Sequence, residues 1–440
     1  MALIDVIDRL DSIGGDEYEL SHLPDGEDRS FLEMVAVWGG AAFVPAALLI
    51  GGSVAGEISF PNFVFAFGIG FFLVSLVSIL IGITARNFGL TFHVSSRYFF
   101  GNRGSVIPSG LLILTRIGFA AVELALAASF VSTAFGGGSE LSFVVATVVL
   151  GCFYVASATV GIEGLKWVSY VAIPLVTVVF LYGAWTLGLG GTAAPVDNPI
   201  PFTTAIGIAA SFWVAGAIVS GDWLRYARSR RAIVGSTWIA LVVFTLFLVS
   251  LGFLSVFAAG THSLSAAMAN AGLAIPAALA MILLVWTTVD NWLYSGALGL
   301  SNVLGIRKVS GVLIVGAISI VVAGLKFHTL LLPYLSAIGI LIPPVAAPWL
   351  IEYYLLDHRM SGVTMDDLDF NVNWLAVGAW AIGSAVAYVT PAVYVVPLVA
   401  IVASGVAYLV LYYGLRDTAL YPLGDIARPS GRPAGTTGAD

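Results

Sequence analysis

Charge is what this 440-residue chain lacks most: Asp, Glu, Lys and Arg make up 10% of it, against roughly 25% in a soluble globular domain. So few charges cannot solvate a globular surface. That excludes a soluble enzyme, a secreted disulfide scaffold and a disordered chain. Basic surface is scarce as well: 18 Lys and Arg against 25 Asp and Glu leave a net charge of −7, which suits no nucleic-acid partner. A single cysteine, Cys152, offers no intrachain disulfide. The histidines, His22, His93, His262, His328 and His358, are scattered without metal-ligand spacing. No Walker motif marks an ATP site, and neither a Ser–His–Asp set nor HExxH occurs. Apolar residues fill the chain instead: 59% are hydrophobic. The fold class this predicts is an all-α polytopic membrane protein, with the lipid bilayer as its first partner.

A membrane helix needs about 20 mostly apolar residues, and runs of that kind recur roughly twelve times. They centre near Phe43, Phe72, Gly118, Leu150, Val178, Trp213, Phe247, Leu284, Val315, Ile340, Trp380 and Val402 and are numbered spans 1 to 12. Clusters such as GEISFPN, FGGGSE and GLGGTAAPVDNPIP separate them. An outer-membrane barrel would show short alternating strands instead. Residues 1–30 are acidic, with Asp5, Asp8, Asp11, Asp16 and Glu17 among them, and lack the basic start of a signal peptide. Fifteen Arg to three Lys, with this acidic tail, point to a prokaryotic chain from a GC-rich or halophilic source.

Lys and Arg in short loops report orientation. Arg86, Arg97 and Arg103 follow span 2; Lys166 follows span 4; Arg225, Arg228, Arg230 and Arg231 follow span 6. Arg307 and Lys308 follow span 8, Arg359 span 10, and Arg416, Arg428 and Arg432 span 12. The opposite loops hold only Lys326. One missed span would scramble this asymmetry. It predicts a multi-pass protein of the cell (plasma) membrane with both termini cytoplasmic.

Span 1 carries WGGAAFVPAALLIGG, with Gly39, Gly40, Pro45, Gly51 and Gly52; span 6 carries SFWVAGAIVSGD, with Gly216 and Gly221. Interrupted helices at matching positions of two halves point to the midplane site of a transporter. Spans 1 and 6 match if residues 31–190 form one five-helix repeat and 200–356 an inverted copy. Residues 370–415 then add spans 11 and 12, before a cytoplasmic tail, 416–440. Gly and Pro are also common in membrane helices for other reasons.

Three ionisable residues fall inside the apolar runs: Arg116 and Glu123 in span 3, and Asp290 in span 8. Intramembrane charges are functional candidates by default. Arg116 and Glu123 are two turns apart, about 10 Å, with Phe119 between them on the same face. A structural ion pair of Arg116 with Asp290 is the plainer reading. Thr287 and Thr288 could join unwound carbonyls in an oxygen cage for a monovalent cation, or bond their own helix. Trp213 could stack on a planar substrate or merely pack.

Four stretches resemble the nucleobase–cation symporter-1 family, closest to its bacterial cytosine permease branch. They are RSFLEMVAVWGGAAFVPAALLIGGSVAG, SSRYFFGNRGSVIPSGLLILTRIGF, SFWVAGAIVSGDWLRYAR and VWTTVDNWLYSGALGLSNVLG. The resemblance implies a LeuT-type fold, two inverted five-helix repeats plus two C-terminal helices. It implies a symporter for a nucleobase or another small planar heterocycle, with no cofactor beyond a coupling ion, Na+ or H+. Carried over, the cation meets the carbonyls of Ala41, Val44 and Leu284 and the hydroxyls of Thr287 and Thr288. The substrate lies between Phe119, where the family usually has Trp, and Trp213. Arg116, Glu123, Ala215, Asp290 and Asn291 complete the expected substrate contacts. An intramembrane enzyme using Glu123 and Asp290 as carboxylates is the competing class.

Overall fold

The computed structural model describes Leu23 and residues 28–160, 165–188, 199–356 and 370–423. Most of the expected acidic tail, the side chain of Lys166, and Arg359, Arg428 and Arg432 lie outside the described residues. Within them the regular structure is helical, with two isolated bridges, Arg29–Ala227 and Ala55–Ile58. Among the described residues, eight helices are long and apolar enough to cross a membrane, and the bent pair Phe31–Ala42 and Pro45–Ser53 makes a further span. Val171–Thr186, Lys308–Gly324 and Trp374–Val389 are shorter apolar helices where spans 5, 9 and 11 are expected. Together they reproduce the twelve runs seen in the sequence.

Local chemistry sets several boundaries. Span 1 opens under a capping box: the Glu33 carboxylate accepts the Ser30 N–H at 2.7 Å, and Ser30 Oγ accepts the Glu33 N–H at 3.5 Å. Span 2, Phe60–Phe88, stops at Gly89, whose φ of 67° suits glycine.

The spans gather in two groups. Span 2 packs along span 6, Phe202–Val219, and both halves of span 1 pack along span 7, Arg230–Ala259. Span 3, Val106–Phe135, packs along span 8, Ala274–Leu304. Both also touch span 4, Glu140–Val160, and span 9, Lys308–Gly324. Exchanging 1 with 6, 2 with 7, 3 with 8 and 4 with 9 maps each group onto itself. That is the pairing a five-span repeat requires.

Close backbone approach holds span 1 against span 7. A Cβ on Gly51 would lie 1.8 Å from the Val249 carbonyl oxygen, and one on Gly252 1.9 Å from that of Leu48. Small residues permit such contact where apolar lipid gives helices no reason to associate. The half-helix Pro45–Ser53 also touches spans 3 and 8, so the two groups meet at the break in span 1. The expected interruption at Gly216 does not form: span 6 runs unbroken to Val219, and the turn Gly221–Leu224 follows Ser220.

Candidate functional site

Pro45 makes the break. Its ring bars the helical region to the residue before it, and Val44 is extended at φ −94°, ψ 135°. The two halves bend by 52°. A helical carbonyl receives the N–H four residues on; for Ala41 that residue is Pro45, which has none. The Val44 carbonyl accepts the Ala47 N–H at 2.9 Å.

Glu123 of span 3 lies against this break, fully buried. Its Oε2 accepts the Thr288 hydroxyl at 2.5 Å and the Trp292 Nε1–H at 3.0 Å. The Ala46 N–H also acts on this carboxyl from span 1. Ala46 is in the first turn of Pro45–Ser53, where N–H groups lack helical partners and the dipole favours negative charge. One carboxylate thus joins spans 1, 3 and 8. Beside it, Thr287 Oγ1 and Thr288 Oγ1 lie 2.8 and 3.3 Å from the Leu284 carbonyl. The threonines do bond their own helix, and in doing so they cluster three oxygens next to Glu123.

Arg116, Phe119 and Trp213 line one cavity with Val44, Phe212, Gly216 and Trp292. Its volume is about 10 Å³, room for about one water, so the walls are closed on each other. Phe119 stacks on Trp292 at 5.5 Å and 24° and meets Phe212 and Tyr334 edge-on. Trp213 stands edge-on to Trp38 and Phe212, each at 5.8 Å. A Cβ on Gly216 would lie 2.5 Å from Trp213 Cε3. That glycine makes room for an indole rather than breaking a helix. Arg116 Nε donates to Ser295 Oγ at 3.1 Å, and its guanidinium lies 4.7 Å from the Trp292 ring centroid. Among the described residues, Arg116 Nη1 and Nη2, Glu123 Oε1 and Trp213 Nε1 have no hydrogen-bond partner.

Three expected contacts fall elsewhere. Asp290 turns to span 4, where Ser157 Oγ donates to its Oδ2 at 2.6 Å and itself accepts Trp286 Nε1–H at 2.7 Å. Residues 288 and 290 point about 200° apart round a helix, so Asp290 cannot share a face with Thr288 and makes no pair with Arg116. Asn291 is exposed, with its amide on the Thr287 carbonyl at 2.7 Å. Ala215 is buried off the cavity, and its neighbour Gly216 lines it instead. The same geometry separates the carboxylates of Glu123 and Asp290, which the enzyme alternative needs together.

Sequence reasoning missed Trp292, which stacks on Phe119, carries Arg116 on its face and donates to Glu123. Helical period was the available signal: Thr288, Trp292 and Ser295 fall at i, i+4 and i+7 on the face of span 8 that meets span 3. Just past span 6, Asp222 Oδ1 accepts the Phe92 N–H at 2.6 Å and ties that end to the short helix Phe92–Phe100. Burial pushes its carboxyl up to about 6, against the opposing pull of the Phe92 N–H, Arg225 and Arg116.

A family profile described as permeases for cytosine/purines, uracil, thiamine and allantoin matches residues 25–412. The cytosine permease of Escherichia coli (strain K12) is 28% identical over 395 residues, covering 88% of this chain and 92% of that protein. The hydantoin permease of Microbacterium maritypicum is 23% identical over 406 residues, covering 81% of each. Among solved structures, a nucleobase-cation-symport-1 family transporter, closed with bromovinylhydantoin bound, superposes with a TM-score of 0.77 at 19% identity. That match covers 92% of this chain and 97% of the other. A Na+-coupled sialic acid symporter, outward-open, gives 0.64 at 13% identity, covering 94% and 97%. The shared architecture is the LeuT-type inverted repeat, and these relatives are carriers, not enzymes. With nearly its whole length matched, the chain belongs to the nucleobase–cation symporter-1 family of membrane permeases, in the cytosine permease branch.

Proposed function

We propose that this permease couples a monovalent cation, Na+ or H+, to the uptake of a nucleobase such as cytosine, or a related small planar heterocycle. Uptake proceeds by alternating access across the plasma membrane, with both termini cytoplasmic. The two repeats, 31–190 and 200–356, supply the moving groups, and 370–415 supplies the appended pair. The observation that carries this reading is the cavity at the break in span 1. Aromatic faces and the buried Arg116 converge there, and the buried Glu123 lies against the same break from span 3. Phe119 and Trp213 offer π faces to a flat ring, and Arg116 and Glu123 read its acceptor and donor edges.

The cation takes the carbonyls of Ala41, Val44 and Leu284 and the hydroxyls of Thr287 and Thr288. The donor set fits a hard monovalent ion: it is all oxygen, and Pro45 denies the Ala41 carbonyl its helical N–H. A proton would use Glu123 instead. A cavity of about 10 Å³ admits no ring until spans 1 and 6 part from spans 3 and 8, which is the motion alternating access demands.

Counterflow in proteoliposomes tests the reading. Labelled cytosine or uracil should exchange against unlabelled base, with Na+ but not K+ raising the rate if Na+ is the coupling ion. Trp213→Ala should abolish exchange and Trp213→Phe should largely keep it. No exchange of any nucleobase or hydantoin would refute the proposal.

A further inference from the structure

Arg116 carries a demand that the protein itself does not meet. Its side chain is 1% exposed, inside a membrane span. Ser295 satisfies Nε and Trp292 covers one face. Nη1 and Nη2 are left buried without an acceptor among the described residues. No carboxylate of the described residues accepts from either nitrogen. Glu123 Oε2 holds Thr288 and Trp292, Asp222 holds the Phe92 N–H, and Asp290 holds Ser157. Asp222 acts on Arg116 only at a distance, and a buried guanidinium whose fork has no acceptor costs several kcal/mol. Such a group persists in a closed cavity when its partner arrives from outside.

The chemistry of that partner follows from the fork. Two neighbouring guanidinium nitrogens present parallel N–H groups that match a planar, two-oxygen anion. A neutral ring carbonyl offers one acceptor and no charge, so it answers half of the demand. The fork belongs to a residue lining a cavity whose other walls are Phe119, Trp213 and Trp292. Trp213 Nε1 also lacks a partner, as does an acceptor, Glu123 Oε1. Glu123 lies seven residues along the same helix as Arg116, about 10 Å away.

We propose that the cavity takes a planar heterocycle bearing a carboxylate or an equally delocalised anionic edge, which Arg116 holds through Nη1 and Nη2. Oε1 of Glu123 takes a ring N–H at the opposite edge. Arg116 is the specificity-determining residue. The proposal rests on the carrier reading above and narrows its substrate class.

Two matched ligand pairs test it on the full-length protein in detergent: uracil with orotate, which is uracil bearing a ring carboxylate, and nicotinamide with nicotinate. Affinities are read by calorimetry. In at least one pair the carboxylate should bind at least about tenfold more tightly than its neutral partner. Arg116→Gln should lose at least about tenfold more affinity for that carboxylate than for its neutral partner. Arg116→Lys should recover only part of the loss, since an ammonium cannot fork. If Arg116→Gln does not fold, the parent comparison and Arg116→Lys decide the matter. Neutral members binding as tightly or more tightly in both pairs overturn the anionic class and leave the carrier reading standing. So does a carboxylate that keeps its affinity without the arginine. Absence of binding or exchange by every ring, cytosine and hydantoin included, overturns both.

Discussion

Replacing Glu123 by Leu asks whether its carboxyl is a structural joint. Two full hydrogen bonds end on Oε2, from Thr288 at 2.5 Å and Trp292 at 3.0 Å. A net hydrogen bond between neutral groups is worth about 0.5–1.5 kcal/mol. Glu123→Leu removes the acceptor of both and leaves two buried donors unpaired, so it should cost about 2 kcal/mol or more of ligand-free stability. Thr288→Val is isosteric and leaves no cavity. It removes its bond in the parent, at about 1 kcal/mol, but has no such bond to remove in the Glu123→Leu background. The coupling energy of the double-mutant cycle should therefore be about 1 kcal/mol. Denaturant unfolding in detergent, followed by tryptophan fluorescence, measures all four proteins. Additivity within about 0.3–0.5 kcal/mol would refute the bond and the joint with it.

Pro45→Ala should restore an N–H to the Ala41 carbonyl and release Val44 from its extended conformation; if Na+ is the coupling ion, the melting-temperature rise that Na+ gives over K+ should shrink or vanish. Gly216→Ala places a Cβ 2.5 Å from Trp213; overpacking of this kind costs about 1–3 kcal/mol and should drive the indole into the cavity, so planar-ligand affinity should fall more than stability. Asp222 keeps its proton to about 6 in the folded chain, above the ordinary 3.8. The folded state then binds that proton more tightly than the unfolded state does, so the stability it contributes is lost as pH climbs from about 4 through 6. Asp222→Asn should flatten the melting-temperature profile across that window, and an unchanged slope would exclude Asp222 as its source.

The bilayer makes much of this fold legible in sequence. Length and hydropathy mark the spans, and the cations between them share alternate loops only when twelve are counted. Pro45 is readable too, because a proline acts on its own backbone and on the residue before it. Gly216 is not. A helical glycine looks the same in sequence whether it weakens the helix or clears space for a neighbour, and the neighbour, Trp213, lies on its own span. Asp290 shows a different limit. Helical period separates it from Thr288, but its partner Ser157 lies 133 residues away on another span, and no local pattern carries that information. Trp292 was within reach, four residues past Thr288, yet a tryptophan in an apolar run gives no sign of being packed between an arginine and a phenylalanine.

The hydrogen bonds of Glu123 mark where the molecule would divide. Thr288 and Trp292 tie it from span 3 to span 8, and among the described residues no such bond ties it to span 1. A parting of the two groups would therefore leave both bonds whole. The carboxylate travels with span 8, and the proposed ion ligands split, Ala41 and Val44 to one side and Leu284, Thr287 and Thr288 to the other. An ion in the proposed site would act as a bolt across a hinge line. It would be gripped fully only while the line is shut, so that opening the line and releasing the ion would be one event.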